Sequence, residues 1–433
     1  MLIKYNMQST NNAFEKNKSL SKNFDIDTIQ VSGPVNVVRL EGKIHGIQKV
    51  IYLFMDIHIP IDEQTECGNI YSKDVNKYFA EIFTQLNKSD KKYDFFMEIR
   101  PTEILRTNDN IYFRQKYINQ VVKLFSMAFS YDKEKNKVNI SNYFNNVRLH
   151  YLDIRDYMKF HILDAFDEAF YVSKNIYQDS YMDSSKIAHM MELLINGKKQ
   201  LDATIDILEN PADLIPKQKN PKIRSSYSKI IEPEMIADFS NKMRNIYDHD
   251  DIKTKMNKLF DKLIIDFKKF SEWIQSSTDR LTKHQNLIRD TRGKFTRDDE
   301  FEKKTNIIGL SPYKMRMIKV DFVNTCEKIY MDTIDIFADL TDIYFMRRFL
   351  DKDYITNAIV YSGYVHSDNY IRILLIDHGF KITHVAHSPI NDIYPLEKEI
   401  KSRIQNGEHL TDLFYSVDET QCSDLTHFPK NFD

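Results

Sequence analysis

The sequence predicts an α/β fold, a mostly parallel sheet flanked by helices and carrying a large all-helical insertion. Three observations predict it. Short apolar, β-prone runs at both ends of the chain stop at polar residues where a helix should begin. The long middle carries apolar residues at three- and four-residue steps with charges between them. Only 10 glycines and 11 prolines occur in 433 residues, too few for a loop-rich all-β protein.

The elements follow in order. Residues 1–30 are polar and rich in Asn, Lys and Ser, and read as a flexible leader without the apolar stretch of a signal peptide. The first half of the core, residues 31–156, opens with strand runs Val35–Glu41 and Gln48–Asp56. Gly42 to Gly46 between them reads as a hairpin or a kinked pair of edge strands. A helix over Ser72–Leu86, with Val75, Phe79 and Phe83 on one face, leads to a strand over Asp94–Ile99. That is a βαβ unit and implies parallel pairing. A helix over Ile111–Phe129 and a polar excursion (Ser130 to Asn139) precede a third strand, Val147–Leu152, which ends in Asp153-Ile154-Arg155.

Residues 157–350 read as helix after helix, an insertion or lid broken at Pro211, Pro216 and Pro221 and again at Ser311-Pro312. No heptad persists, so the apolar faces are core and not a coiled-coil seam. Residues 351–390 form the second half of the core. Strand Asn357–Ser362 is followed by Gly363 and a helix over Ser367–His378, which Gly379 stops in a left-handed C-cap. A strand over Lys381–Ala386 completes a second βαβ unit. Residues 391–433 are a tail with one helix, Leu396–Gln405.

Composition excludes several classes. A formal net charge of −2 gives no argument for nucleic acid. No stretch of about 18 apolar residues predicts a membrane span. Cys67, Cys326 and Cys422 are odd in number and lack C-x-x-C spacing, so neither a disulfide framework nor a zinc knuckle is expected. A reducing, cytoplasmic setting follows. Walker A, H-E-x-x-H, G-x-S-x-G and G-x-G-x-x-G patterns are absent.

Chemistry-bearing residues gather at the strand ends. The second strand delivers Asp56 and His58, the next Glu98, the third Asp153 with Arg155, and the late strand Gly363 and His366. In an open α/β sheet these positions face the ligand crevice. Two imidazoles and a carboxylate are suitable ligands for Mn, Zn or Co. Such an ion lowers the pKa of bound water, a second carboxylate takes the proton, and arginine stabilises the oxyanion. The expected metal positions are therefore His58, His366, Asp56 and Glu98, with Asp153 and Arg155 close by.

Gly363-x-x-His366 after an apolar strand, then Leu374-Leu375-x-x-His378-Gly379, resembles the late motif of the Tiki/TraB metalloprotease, erythromycin esterase and ChaN-like superfamily. Leu53 to His58 stands in the place of that group's first Gly-Glu-x-His, Asp94 to Glu98 is similar to its second-strand Glu, and Met346-Arg347-Arg348 sits where it carries an arginine. The resemblance implies a metal-dependent hydrolase of peptide or ester bonds acting on a small-molecule or peptide substrate. It implies His58, Glu98 and His366 at the metal or catalytic positions, with Arg347 or Arg348 as oxyanion partner. Met55 in place of Gly and Asp56 in place of Glu depart from the pattern. They favour the alternative, a catalytically degenerate relative serving as a binding or virion scaffold protein. The composition and the Cys422 to Phe432 ending also resemble uncharacterised proteins of large DNA viruses of protists.

Overall fold

The computed structural model describes residues 28–59, 61, 67–99, 116–132, 137–154, 161–180, 182–211, 232–290, 311–415 and 420–432. In chain order the first elements are β1 (Gln30–Ser32), β2 (Asn36–Ile44), β3 (Ile47–Asp56), β4 (Lys73–Asp74), α1 (Val75–Leu86), β5 (Tyr93–Met97), α2 (Tyr117–Ala128), β6 (Tyr131–Asp132), β7 (Lys137–Val138) and β8 (Val147–Tyr151). The helical middle comprises α3 (His161–Gln178), α4 (Ser184–Glu209), α5 (Glu232–Asn245), α6 (Asp250–Asp290) and α7 (Pro312–Asp351). Then come β9 (Asn357–Gly363), α8 (Tyr364–Asp377), β10 (Lys381–Val385), α9 (Ile393–Asn406), α10 (Thr411–Phe414) and β11 (Cys422–Asp424).

The fold is α/β, as predicted, but its main sheet is mixed. The six strands run in the order β10-β2-β3-β9-β5-β8. β3, β9, β5 and β8 are mutually parallel; β2 runs against them, and β10, antiparallel to β2 at the edge, runs in their direction again. β2 and β3 form a hairpin whose two turn residues, His45 (φ 50°) and Gly46 (φ 80°), lie in the left-handed region that tight hairpins require. β3 is not an edge strand: Val50 to Met55 is a continuous buried run, as a central strand covered on both faces must be.

Two expectations about pairing are corrected. β3 and β5 are joined through α1 as foreseen, yet β9 lies between them. β9 and β10 are joined through α8 and run in the same direction as expected, but they are not neighbours: β3 and β2 stand between them, and β10 pairs antiparallel with β2. The polar excursion holds a small hairpin, β6–β7. The leader through residue 27, Arg155, Pro216 and Pro221 lie outside the described residues.

Apolar side chains sort into three clusters. Val37, Tyr52, Phe54, Phe95, Ile359 and Tyr361 face α1 and α2 on one side of the sheet. Leu40, Leu53, Met55, Phe96, Ala358 and Val360 face the opposite side, against α8, α9 and the end of α7. The third cluster lies within α3 to α7. α7 belongs to both helical layers. It starts at Ser311, whose side chain accepts from the Lys314 N–H, with Pro312 in its first turn. Its far end is held by Lys49 of β3, a buried lysine whose Nζ donates to the Phe349, Lys352 and Ile355 carbonyls at 2.9, 2.8 and 2.7 Å. Helix C-terminal carbonyls carry partial negative charge, so a buried cation is stabilised there.

Candidate active site at Glu98

The wedging of β9 between β3 and β5 determines the site. It sets the C-terminal ends of these three parallel strands side by side. His58 follows β3, Glu98 follows β5, and His366 stands in the first turn of α8, directly after β9. Residues from opposite ends of the chain thus meet at one carboxylate. Helix α8 begins at Tyr364, earlier than the sequence indicated, so His366 is a helix residue and not a loop residue.

Each Glu98 oxygen has an imidazole. His58 Nε2 lies 3.3 Å from Oε2, and His366 Nε2 lies 3.2 Å from Oε1. Oε2 also accepts the Gly363 backbone N–H at 2.6 Å. Behind the imidazoles stand two more carboxylates. His58 Nδ1 is 3.1 Å from Asp56 Oδ2, and His366 Nδ1 is 2.6 Å from Asp342 Oδ1. Asn369 donates to Asp342 at 2.7 Å and to Asp339 at 2.8 Å. Carboxylates and imidazoles therefore alternate along one line: Asp56, His58, Glu98, His366, Asp342. His58 is the open end, its side chain 31% exposed against 18% for Glu98 and 11% for His366.

His58 has φ 56°, a left-handed conformation rare for a residue with a Cβ. Asp56 holds it there: Oδ1 accepts the His58 backbone N–H at 3.1 Å while Oδ2 faces the ring. Gly363 meets a different demand. Its φ is −57°, but a Cβ on it would lie 3.3 Å from His58 Nε2 and 3.4 Å from Glu98 Oε2. Glycine lets the strand end approach the acid–imidazole pair.

Charge follows the same alternation. Burial works against a protonated His58, but hydrogen bonds to Asp56 and Glu98 override it and hold the imidazole up at about 10. Burial likewise opposes a charged His366, and Asp342 and Glu98 hold it well above the usual histidine range. Glu98, despite burial, is held well below the usual carboxylate range by His366 and then His58. Asp339, the outermost acid, is pushed up to about 6 by burial and by Asp342.

Asp56, expected among the metal donors, stands behind His58 and orients it, with Gln421 Nε2 3.4 Å from its Oδ1. Asp153 is buried beyond β8, on the far side of β5 from His58. Arg347 is turned away from the cluster: its guanidinium donates to the Ile246 carbonyl and lies 5.1 Å from the Tyr247 ring centroid. Arg348 lines a cavity of about 400 Å³ beside β8 with His150, Tyr151, Tyr344 and Tyr354. Neither arginine joins Glu98 as the motif resemblance implied. Sequence reasoning missed Asp342 and Asp339. Their signal was an acidic spacing at 335, 339 and 342 within an otherwise apolar stretch of α7.

The expectation of unpaired cysteines is corrected. Cys67 and Cys422 form a disulfide, with Cα atoms 4.9 Å apart, and only Cys326 is free and buried. Residues this far apart in sequence give no spacing signature. The bond ties the loop after β3 to β11, next to Gln421 and hence to Asp56.

The donor types fit a divalent ion. Metal-bound histidines commonly have their second nitrogen on a carboxylate, and both imidazoles here do. Their Nε2 atoms are spread across the two oxygens of Glu98. Among the described residues, the group with three donor atoms all within 4.8 Å of one another is His45, His249 and Asp353, not this cluster.

A family model described as "Family of unknown function (DUF5847)" matches residues 29–433. Uncharacterized protein R706 of Acanthamoeba polyphaga mimivirus is 38% identical over 420 residues, covering 96% of this chain and 99% of its own length. Uncharacterized proteins R161 and R160 of the same virus are each 34% identical, over 94% and 96% of this chain and 99% and 100% of theirs. These matches agree with the resemblance to large DNA virus proteins. None of these matches supports the likeness to the Tiki/TraB group. No solved structure matches the chain.

Proposed function

The chain belongs to the DUF5847 family, and from the geometry of its site we propose that it is a metal-dependent hydrolase with its active site at Glu98. The observation that carries this reading is the paired orientation of two histidines. Each has Nδ1 against a buried carboxylate, Asp56 or Asp342, and each offers Nε2 to the same Glu98.

His58, Glu98 and His366 would hold the ion, drawn from Mn, Zn or Co. When bound, it supplies a water molecule acidified toward neutrality and an electrophile for a carbonyl oxygen. The protein's own groups do the rest. Asp56 and Asp342 keep the Nδ1 protons in place, so Nε2 is the donor. The start of α8 favours negative charge beside Gly363. An imidazole held at about 10 is a poor proton acceptor at neutral pH, which argues against His58 as a metal-free general base. Peptide and ester substrates both suit this chemistry.

A binding or virion scaffold role is the second reading. It is supported by exposed apolar side chains, Met127 at 73%, Ile140 at 81% and Tyr143 at 68%. The Cys67–Cys422 disulfide also suits an oxidising setting such as a virion. No helix among the described residues is long and apolar enough to cross a membrane. The two readings separate in one assay. Chelator-treated protein resupplied with Mn, Zn or Co is tested on p-nitrophenyl esters and fluorogenic peptides, beside Glu98→Gln. The hydrolase reading expects metal-restored turnover that falls at least about 100-fold in the variant. Turnover equal in both proteins would overturn the assignment to Glu98, and none with any metal favours the scaffold.

A further inference from the structure

A second cluster of metal-ligating side chains stands away from Glu98, where the β2–β3 hairpin turn meets the helical layer. His45 comes from that turn, His249 from the residue just before α6, and Asp353 from the loop after α7. One donor atom from each lies within 4.8 Å of the other two. The two imidazole rings are in contact, with centroids 3.9 Å apart and planes tilted by 53°. Each ring has a carboxylate: His45 Nε2 is 2.8 Å from Asp251 Oδ1, and His249 Nε2 is 2.9 Å from Asp353 Oδ1.

Three features point to a ligand. The two rings and the Asp353 carboxylate converge on one space, where a single divalent ion would satisfy all three donors. The backbone carrying His249 is also preset. Buried Asp351 accepts the N–H groups of Asp248 at 2.9 and 3.0 Å and of His249 at 3.1 Å. Finally, the nearby cation Lys255 is occupied with the Asp377 carbonyl at 2.7 Å. The site is half open to solvent, with side-chain exposures of 30% for His45, 23% for His249 and 54% for Asp353, so an ion can reach it.

We propose that His45, His249 and Asp353, with Asp251 as the adjoining carboxylate, bind a zinc-type divalent cation that clips the β2–β3 turn to the helical layer. The site is structural, because all three donors come from connections between elements and none lies at the C-terminal ends of the parallel strands. It is independent of the hydrolase reading. Two histidines and a carboxylate leave one position of a tetrahedral ion to Asp251 or water.

Chelator-treated full-length protein is titrated with Zn(II) by calorimetry, and its melting temperature is followed with and without zinc. His45→Ala/His249→Ala is expected to lose one equivalent of zinc and most of the zinc-dependent rise in melting temperature. His58→Ala/His366→Ala should keep the equivalent held at His45 and His249 and the part of the rise that depends on it. Asp353→Asn, at an exposed position that leaves folding intact, should weaken this equivalent at least tenfold. The proposal is overturned if zinc does not raise the wild-type melting temperature. It is equally overturned if Asp353→Asn and the His45/His249 variant bind as many equivalents, as tightly, as the wild type.

Discussion

Asp342 Oδ1 lies 2.6 Å from His366 Nδ1, joining the long helix α7 to the first turn of α8 directly behind Glu98. This contact makes the helical layer part of the site. Asp342→Asn keeps the size of the side chain but removes the charge that holds the His366 proton in place. Loss of such a partner typically costs 10–100-fold in metal affinity. Calorimetry with Zn or Co should show a loss of about that size, accompanied by a lower melting temperature because one partner of a buried pair is removed. Unchanged affinity would mean that Asp342 does not orient the histidine.

Gly363→Ala separates site from fold. The residue's φ of −57° suits any L-amino acid, so the backbone tolerates a Cβ. That Cβ would press on His58 Nε2 at 3.3 Å and Glu98 Oε2 at 3.4 Å. Stability is expected to fall by no more than about 1 kcal/mol, while ion binding at Glu98 drops several-fold. Urea unfolding beside a metal titration reads both quantities, and equal binding by variant and wild type would count against the close packing.

The Cys67–Cys422 bond pins the loop after β3 to β11. Reduction, or Cys422→Ser, should destabilise the protein by about 2–4 kcal/mol. Thermal melts with and without reductant measure this. Mass spectrometry of non-reduced peptides should recover Cys67 joined to Cys422 and free Cys326, and two free thiols at 67 and 422 would contradict the pairing.

His378 gives a pH signature. It is buried, and among the described residues neither ring nitrogen has a hydrogen-bond partner. Burial, then the charge of Lys255, pulls its pKa down to about 4 from 6.5. The unfolded chain therefore binds a proton that the folded protein refuses. Stability is unaffected above about pH 6.5, declines as the pH falls toward 4, and levels off below that. The decline attributable to this group is on the order of 3 kcal/mol. His378→Leu should flatten that part of the curve, so its stability difference between pH 7.5 and pH 4.5 should be smaller than the wild type's. Equal differences would show that the imidazole is not excluded from solvent.

Much of this was legible in the sequence. Asp56, His58, Glu98, Gly363 and His366 stand out because apolar strands stop at them, and that is a local signal. The Ser311-Pro312 start of α7 and the left-handed Gly379, with φ 64°, are local too. What escaped was non-local. The insertion of β9 between β3 and β5 depends on pairing across most of the chain. The pairing of β10 with β2, two strands away from β9, is equally non-local. The acidic spacing at 335, 339 and 342 is visible in the sequence, but helical periodicity does not reveal which face another helix covers, so it does not place Asp342 behind His366. Arg347 and Arg348 were placed by motif order alone, and the turns of α7 point them elsewhere. His45, His249 and Asp353 share no spacing at all.

The alternation of acid and imidazole around Glu98 is tested most directly by crystals grown with zinc and measured at the zinc absorption edge. The account expects an anomalous peak about 2 Å from His58 Nε2, His366 Nε2 and a Glu98 oxygen. A map with no peak at these atoms at saturating zinc would contradict the account, whatever is seen at His45.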